Sequence, residues 1–337
     1  MHMADALVSP TVGLAMTAVS VGTMAYAINK IKTDNEFDEK KVPMMGVMGA
    51  FVFAGQMINF TIPGTGSSGH IGGGILLAAL LGKYPSFLSL VAVLIIQCLF
   101  FADGGLLALG CNIFNMGIIP CLIIYPLLFK PLLKNQINSA RLTGASILSV
   151  VIGLQLGAFS VVLETLSSGV TELPFSTFVL LMQPIHLAIG LVEGIVTATV
   201  LNFVYSARPE ILRAPIEEKA VGNISVKKVM VSFLVVAIIL GCGISLYAST
   251  FPDGLEWSME KAAGTAELDT NGPLFNLITN LQNHTAFMPD YAFKGTNSPI
   301  GTSVAGFLGC GLTIAFACLT GITIYHVKQR GRRKADI

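Results

Sequence analysis

Long apolar runs alternate with short polar breaks along nearly the whole chain. A run of about 17–25 apolar residues suffices to cross a bilayer as a helix. By that measure the pattern predicts spanning helices over 8–31, 42–60, 85–101, 104–129, 142–163, 176–205, 229–250 and 302–325. A ninth apolar segment, 71–82, has only 12 residues. It is too short to cross the hydrocarbon core and reads as a half-helix entered from a loop. The expected fold is an all-α polytopic membrane protein. Its first module, 1–206, holds seven helical segments including the short one. A charged stretch, 207–228, reads as a linker. A second module, 229–337, holds two further helices around a polar outer loop, 251–301.

Composition agrees with that pattern. Of 337 residues, 53% are hydrophobic and 12% charged, with a mean hydropathy of +0.74. A water-soluble domain carries about twice that charge. Disorder and collagen are excluded by the apolar content and the absence of a glycine period. The net charge of +1 gives no electrostatic footprint for nucleic acid. The six cysteines lie within apolar runs with no CxxC spacing, so they read as packing residues rather than disulfides or a zinc site.

The placement of charge sets an orientation in the lipid bilayer. With the amino terminus outside and all nine segments crossing, 18 of the 20 Lys and Arg residues fall inside, and only Lys261 and Lys294 fall outside. This satisfies the positive-inside rule and requires the short segment to count as a crossing. The carboxyl terminus is then inside. The start of the chain lacks a basic region and a small-residue cleavage site, so it is not expected to be a signal peptide. Retention of Met1 is expected as well, because His2 is too large for removal of the initiator.

The chemistry concentrates at the outer side. The Met1 amine, the His2 backbone nitrogen and the His2 imidazole can close adjacent chelate rings on one late transition metal, which favours a plane of nitrogen donors. On its own this start reads more readily as an ordinary exposed terminus. His70, on the same side at the end of Pro63-Gly64-Thr65-Gly66-Ser67-Ser68-Gly69, offers a fourth nitrogen; the alternative is a glycine-rich turn with a hydrogen-bonded histidine. Polar residues within apolar helices are costly and often functional. Gln97, Asp103, Asn112 and Asn115 could hydrogen-bond the ligands or form a network between helices. His186 and Glu193 lie seven apart on one helix face, where they could pair or grip a neighbour. Met44, Met45, Met48 and Met57 read as packing, and His284 and His326 receive no role. An intramembrane metalloenzyme is disfavoured, because there is no H-E-x-x-H. There is also no nucleotide-binding G-x-x-x-x-G-K-[ST], so ATP-driven work would need another chain. A scaffold subunit without its own ligand is the competing class.

Five separated motifs resemble one family. They are Met1-His2-Met3-Ala4-Asp5-Ala6-Leu7-Val8-Ser9-Pro10, the loop from Pro63 to His70, Phe101-Ala102-Asp103-Gly104-Gly105-Leu106 through Gly110, Asn112 to Met116, and His186-Leu187-Ala188-Ile189-Gly190 with Glu193-Gly194. Over about 1–206 the chain resembles the substrate-binding membrane (S) component of energy-coupling-factor transporters for nickel and cobalt, the NikM/CbiM type. Pro252-Asp253-Gly254-Leu255-Glu256-Trp257 resembles the PDGLE-type accessory subunit of nickel systems, fused here. The resemblance implies seven helices in the first module. It implies transported Ni(II), or Co(II), held by the Met1 amine, the His2 amide and imidazole nitrogens and His70, with no organic cofactor. It also implies a coupling membrane T component, two cytoplasmic ATPase subunits and the plasma (inner) membrane of a prokaryote. Residues 3–6 depart from the commoner family start, but Met1 and His2 are kept.

Overall fold

The structure, a computed structural model, describes residues 1–33, 40–170, 173–222, 225–265, 272–296 and 298–335, with side chains through 329. The expected inner cluster of Arg330, Arg332, Arg333 and Lys334 lies outside the described side chains, and parts of the linker and outer loop lie outside the described residues.

The molecule is a helical bundle. Seven helices among the described residues are long and apolar enough to cross a membrane. They are α1 (Pro10–Thr33), α4 (Lys83–Phe101), α5 (Leu109–Leu133), α6 (Ser139–Ser168), α7 (Phe175–Ala207), α9 (Lys227–Cys242, prolonged to Tyr247) and α12 (Pro299–Ala335). Within α5 the segment Phe114–Phe129 is wound more widely, as a π-helix. Pro120 and Pro126 interrupt it, and each lacks the N–H that an α-helical ladder would use.

Two shorter apolar helices lie between α1 and α4. Helix α2 spans Lys41–Gln56. The sequence predicts it to run to residue 60, but the helix stops where the chain turns into a hairpin of β1 (Phe60–Ile62) and β2 (Ser67–Gly69), with Phe60 opposite Gly69 and Ile62 opposite Ser67. Sixteen residues give about 24 Å of helix, short of the roughly 30 Å core. Helix α3, Gly74–Leu81, is the expected half-helix. Every residue in it is buried, so its backbone ends meet protein rather than lipid. Gly73 supplies the left-handed turn into it (φ +77), a conformation glycine adopts without strain.

The region expected to be a linker carries α8, Pro209–Glu217. Pro209 sits in its first turn, and Ile211, Leu212 and Ile216 form a buried face. The outer loop likewise contains α10, Gly254–Ala263, and α11, Pro273–Thr285. Helices α9 and α12 meet so closely that a Cβ on Gly306 would overlap the Gly241 carbonyl, and one on Gly309 would overlap the Phe53 ring of α2. Small residues that let backbones approach are the usual means by which helices associate in lipid. Met44, Met45, Met48 and Met57 are core residues, as read from their spacing.

Candidate metal-binding site

The first residues do not hang free. Met1, Met3, Leu7 and Val8 are buried, and Asp5–Leu7 form a 3-10 turn. The entry to α5 holds them. The Met3 N–H donates to Asn112 Oδ1 at 2.7 Å, while the Met3 carbonyl accepts from Gly105 N at 2.9 Å and from Asn112 Nδ2 at 3.2 Å. Asp5 Oδ1 accepts from Ala108 N at 3.0 Å. Gly105 touches this turn so closely that a Cβ there would overlap the Asp5 carboxylate. Asn115 donates to Glu164 at 2.7 Å and contacts the Met3 sulfur at 3.7 Å. Asn112 and Asn115 therefore fix residue 3, which in turn fixes where Met1 and His2 lie.

Met1, His2 and His70 converge. The Met1 amine is 3.2 Å from His70 Nε2, and the two imidazoles stack with centroids 5.2 Å apart. His70 Nδ1 stands 3.0 Å from the Ile71 carbonyl. A carbonyl only accepts, so Nδ1 carries the proton and Nε2 presents its lone pair to the amine. Burial, and then the nearby ammonium, push His70 down to about 3. It is neutral at ordinary pH.

His2 is positioned from the other side. Its Nδ1 is 3.2 Å from Asp103 Oδ1 and its Nε2 3.2 Å from Gln97 Oε1. Gln97 is oriented by donating to Gln56 Oε1 at 2.8 Å, and Gln56 donates to the Gly72 carbonyl at 2.8 Å, beside His70. Asp103 is held by the Tyr291 hydroxyl at 2.5 Å. Burial lowers His2 below the ordinary histidine range, against the raising effect of Asp103.

The contact that the sequence reading missed is Asp253. Its Oδ2 accepts from the Met1 ammonium at 2.7 Å, although 252 residues separate the two. Its Oδ1 caps α10 through the N–H groups of Leu255 and Glu256, and the Glu256 carboxylate returns to the Asp253 N–H. The D-x-x-E spacing of that capping box is legible in the sequence, but its long-range partner is not. Burial alone would raise the Asp253 carboxyl; the adjacent ammonium overrides this and holds it well below the usual carboxylate range. The preceding residues dock on the hairpin, with Ser68 N donating to Pro252 O at 2.8 Å, and the Trp257 indole donates to the Thr65 carbonyl at 2.9 Å.

His186 and Glu193 do not pair. Glu193 Oε1 accepts from Gly73 N at 2.8 Å and so anchors the start of α3, while His186 faces Met182 O and Gly254. Their remaining atoms, His186 Nε2 and Glu193 Oε2, lack partners. Both residues line a 40 Å³ cavity beside Met1 and His70, room for water. A cleft of 570 Å³, lined by His2, Gln56, His70, Asp103, Asp253 and Tyr291 among others, adjoins the cluster. Among the described residues, no three His, Cys, Asp or Glu side chains form a metal cage. The Met1 amine and the backbone are the further nitrogen donors beside the two imidazoles.

Residues 2–211 match the family model described as the cobalt uptake substrate-specific transmembrane region. The chain belongs to this family. Residues 227–326 match the PDGLE domain. The family member described here is similar over 94% of its length, at 29% identity, to a putative fused nickel transport protein NikMN of Archaeoglobus fulgidus, covering 96% of that protein. It is 27% identical to the fused nickel transport protein NikMN of Rhodobacter capsulatus over 94% of this chain and 95% of that one. The cobalt transport protein CbiM of Sorangium cellulosum is 29% identical over 63% of this chain and 94% of its own. A solved structure, described as a truncated transition metal transporter, superposes with a TM-score of 0.54 at 29% identity, covering 61% of this chain and 99% of that one. The family member is thus a multi-pass membrane component of transition-metal transport and not an enzyme.

Proposed function

We propose that this chain is the substrate-binding component of an energy-coupling-factor transporter. It binds Ni(II) at the extracytoplasmic face and works with a coupling membrane protein and two ATPase subunits. One observation carries the reading. A buried amine stands beside a neutral imidazole lone pair, with a second imidazole stacked on that ring. Donors in neighbouring positions around a metal with about 2 Å bonds lie about 2.9 Å apart, close to the 3.2 Å separating the Met1 amine and His70 Nε2.

The Met1 amine, the His2 amide and imidazole, and His70 then supply four nitrogens. Binding replaces protons on the amine and the amide. Asp253 balances the ammonium until that exchange; Gln97 and Asp103 orient the His2 ring through its two nitrogens, and the one that ligates the metal gives up its contact. The fused two-part architecture shared with relatives named as nickel transport proteins supports nickel over cobalt, the alternative cargo by the same mechanism. The charge distribution supports an amino terminus outside and a carboxyl terminus inside. The test is metal binding by protein beginning at Met1 against protein carrying two extra residues before it. The first should bind Ni(II) stoichiometrically and the second should not. Equal binding would remove the terminal amine from the site.

A further inference from the structure

Two residues face the ring nitrogens of His2, and both come from the end of α4. Gln97 lies in its last two turns, and the Gln97 carbonyl accepts from Asp103 N at 3.1 Å. On either side of Asp103 the backbone is left-handed, at Ala102 (φ +54) and Gly104 (φ +82). An alanine in that conformation is held there against its own preference.

A segment of the accessory module clamps the same turn. Gln282 of α11 donates to the Cys98 carbonyl at 3.0 Å and to the Gly104 carbonyl at 2.8 Å, and Met288 N donates to Phe100 O at 3.3 Å. The Tyr291 ring stacks on Phe101 with centroids 5.0 Å apart. Its hydroxyl donates to Asp103 Oδ2 at 2.5 Å, and Asp103 Oδ1 faces His2 Nδ1 at 3.2 Å. Asp290 (φ +52) and Tyr291 (φ +58) are left-handed as well, which is rare for a residue as bulky as tyrosine. Among the described residues four non-glycine positions have this conformation, and Ala102, Asp290 and Tyr291 are three of them. Such strain persists only where the surroundings impose it, and it gathers where the placement of a side chain matters. Packing alone does not call for the hydroxyl, since a phenylalanine would stack on Phe101 equally well.

The nitrogen that Asp103 faces is the one a chelate would use. The His2 amide nitrogen, Cα, Cβ, Cγ and Nδ1 close a six-membered ring on a metal, whereas Nε2 lies on the far side of the imidazole. Nδ1 is therefore the ligating atom in the proposed site, and Nε2 keeps Gln97. When the metal takes Nδ1, the Asp103 carboxylate yields that contact but stays tethered by Tyr291. It then stands beside a complex left with a net positive charge, Ni(II) with one deprotonated amide. A carboxylate fixed behind the ligands strengthens the hold on a metal.

We propose that Tyr291 is a positioning residue for metal binding, through which the accessory module fixes Asp103 beside His2 and raises the affinity of the nitrogen chelate. This role rests on the terminal chelate proposed above.

The test is a double-mutant cycle in the full chain, with Tyr291→Phe, Asp103→Ala and both together, read by nickel titration. Asp103→Ala should weaken binding about tenfold or more, and Tyr291→Phe about fivefold. The double variant should bind like Asp103→Ala alone, because the tyrosine acts through the carboxylate. In metal-free protein with isotope-labelled histidine, Tyr291→Phe should move the nitrogen resonance of His2 Nδ1 well beyond that of His70, whereas a generally loosened fold would move both alike. Additive losses in the cycle, or wild-type affinity in Tyr291→Phe, would remove Tyr291 from this role and leave the chelate standing. Failure of the wild-type chain to bind nickel would overturn the chelate, and the role of Tyr291 with it.

Discussion

At the scale of single residues, the nitrogen donors differ in what they make testable. His70→Ala removes one donor and leaves three, so nickel affinity should fall and the absorption of a planar complex should vanish while the helical circular dichroism stays. His2→Ala breaks the chelate itself and should abolish binding. Gly105→Ala leaves every donor in place but pushes Asp5 away from the α5 entry. Nickel titration should show it nearly as impaired as His2→Ala; wild-type affinity would mean that docking of residues 3–5 does not position the amine. Acid should weaken binding, because metal replaces protons on the amine and the amide, and calorimetry in buffers of different ionisation enthalpy should count about two protons released per nickel. The His70 imidazole contributes little to that count, since burial already keeps it neutral down to about 3. The same shift acts on stability. Between about 3 and the ordinary 6.5 the unfolded chain binds a proton at this position that the folded one refuses. Stability from this group is therefore complete above 6.5 and declines as pH falls below it. That His2 and His70 lie together was legible because the charge pattern predicts one side of the membrane for both. Asp253 was not, since nothing in a capping motif announces a partner 252 residues away.

At the scale of elements, the apolar runs located the helices well, and they failed where apolar residues serve another purpose. The run after Gln56 continues through Met57, Ile58 and Phe60, yet these residues form the connection into the hairpin and the start of its first strand. Hydropathy alone does not distinguish a buried hairpin from the last turn of a helix. Helices α10 and α11 escaped notice because both are short and amphipathic within a polar loop, although Asp253 with Glu256, and Gly272 with Pro273, are recognisable start signals. One contact ties α10 to Met1, and another joins the accessory helices α9 and α12. Asp253→Asn keeps an oxygen for the cap of α10 but leaves the buried ammonium without its counter-charge. The metal-free protein should lose about 1–3 kcal/mol, read as a lower melting temperature; an unchanged melt would mean that the pair contributes nothing. Gly306→Val forces α12 away from α9 at their closest approach. It should loosen the accessory helices and, through them, lower nickel affinity.

At the scale of the whole molecule, the proposed donor set carries an expected selectivity. Four nitrogens in one plane suit low-spin Ni(II), whereas Zn(II) prefers a tetrahedral surrounding. Equimolar Zn(II) should therefore fail to displace bound nickel, and the nickel complex should be diamagnetic. Displacement by zinc would refute the planar arrangement. Under the proposed function energy comes from partner subunits, and the purified protein should hydrolyse no ATP by itself. The two matched regions meet at Met1: the imidazoles of His2 and His70 come from the first, and the carboxylate of Asp253 that faces the amine from the second.

That junction also carries its own reporter. Trp257 is the single tryptophan among 337 residues, and its indole N–H is spent on the Thr65 carbonyl, five residues before His70. Ultraviolet emission from the unlabelled protein therefore originates chiefly at the seam between the hairpin and the accessory helix. Separation of the two would expose the ring to water and shift the emission to longer wavelength, while a paramagnetic Cu(II) ion lodged nearby would quench it. Any separation of the hairpin from the accessory helix can thus be followed in real time by fluorescence, without attaching a dye.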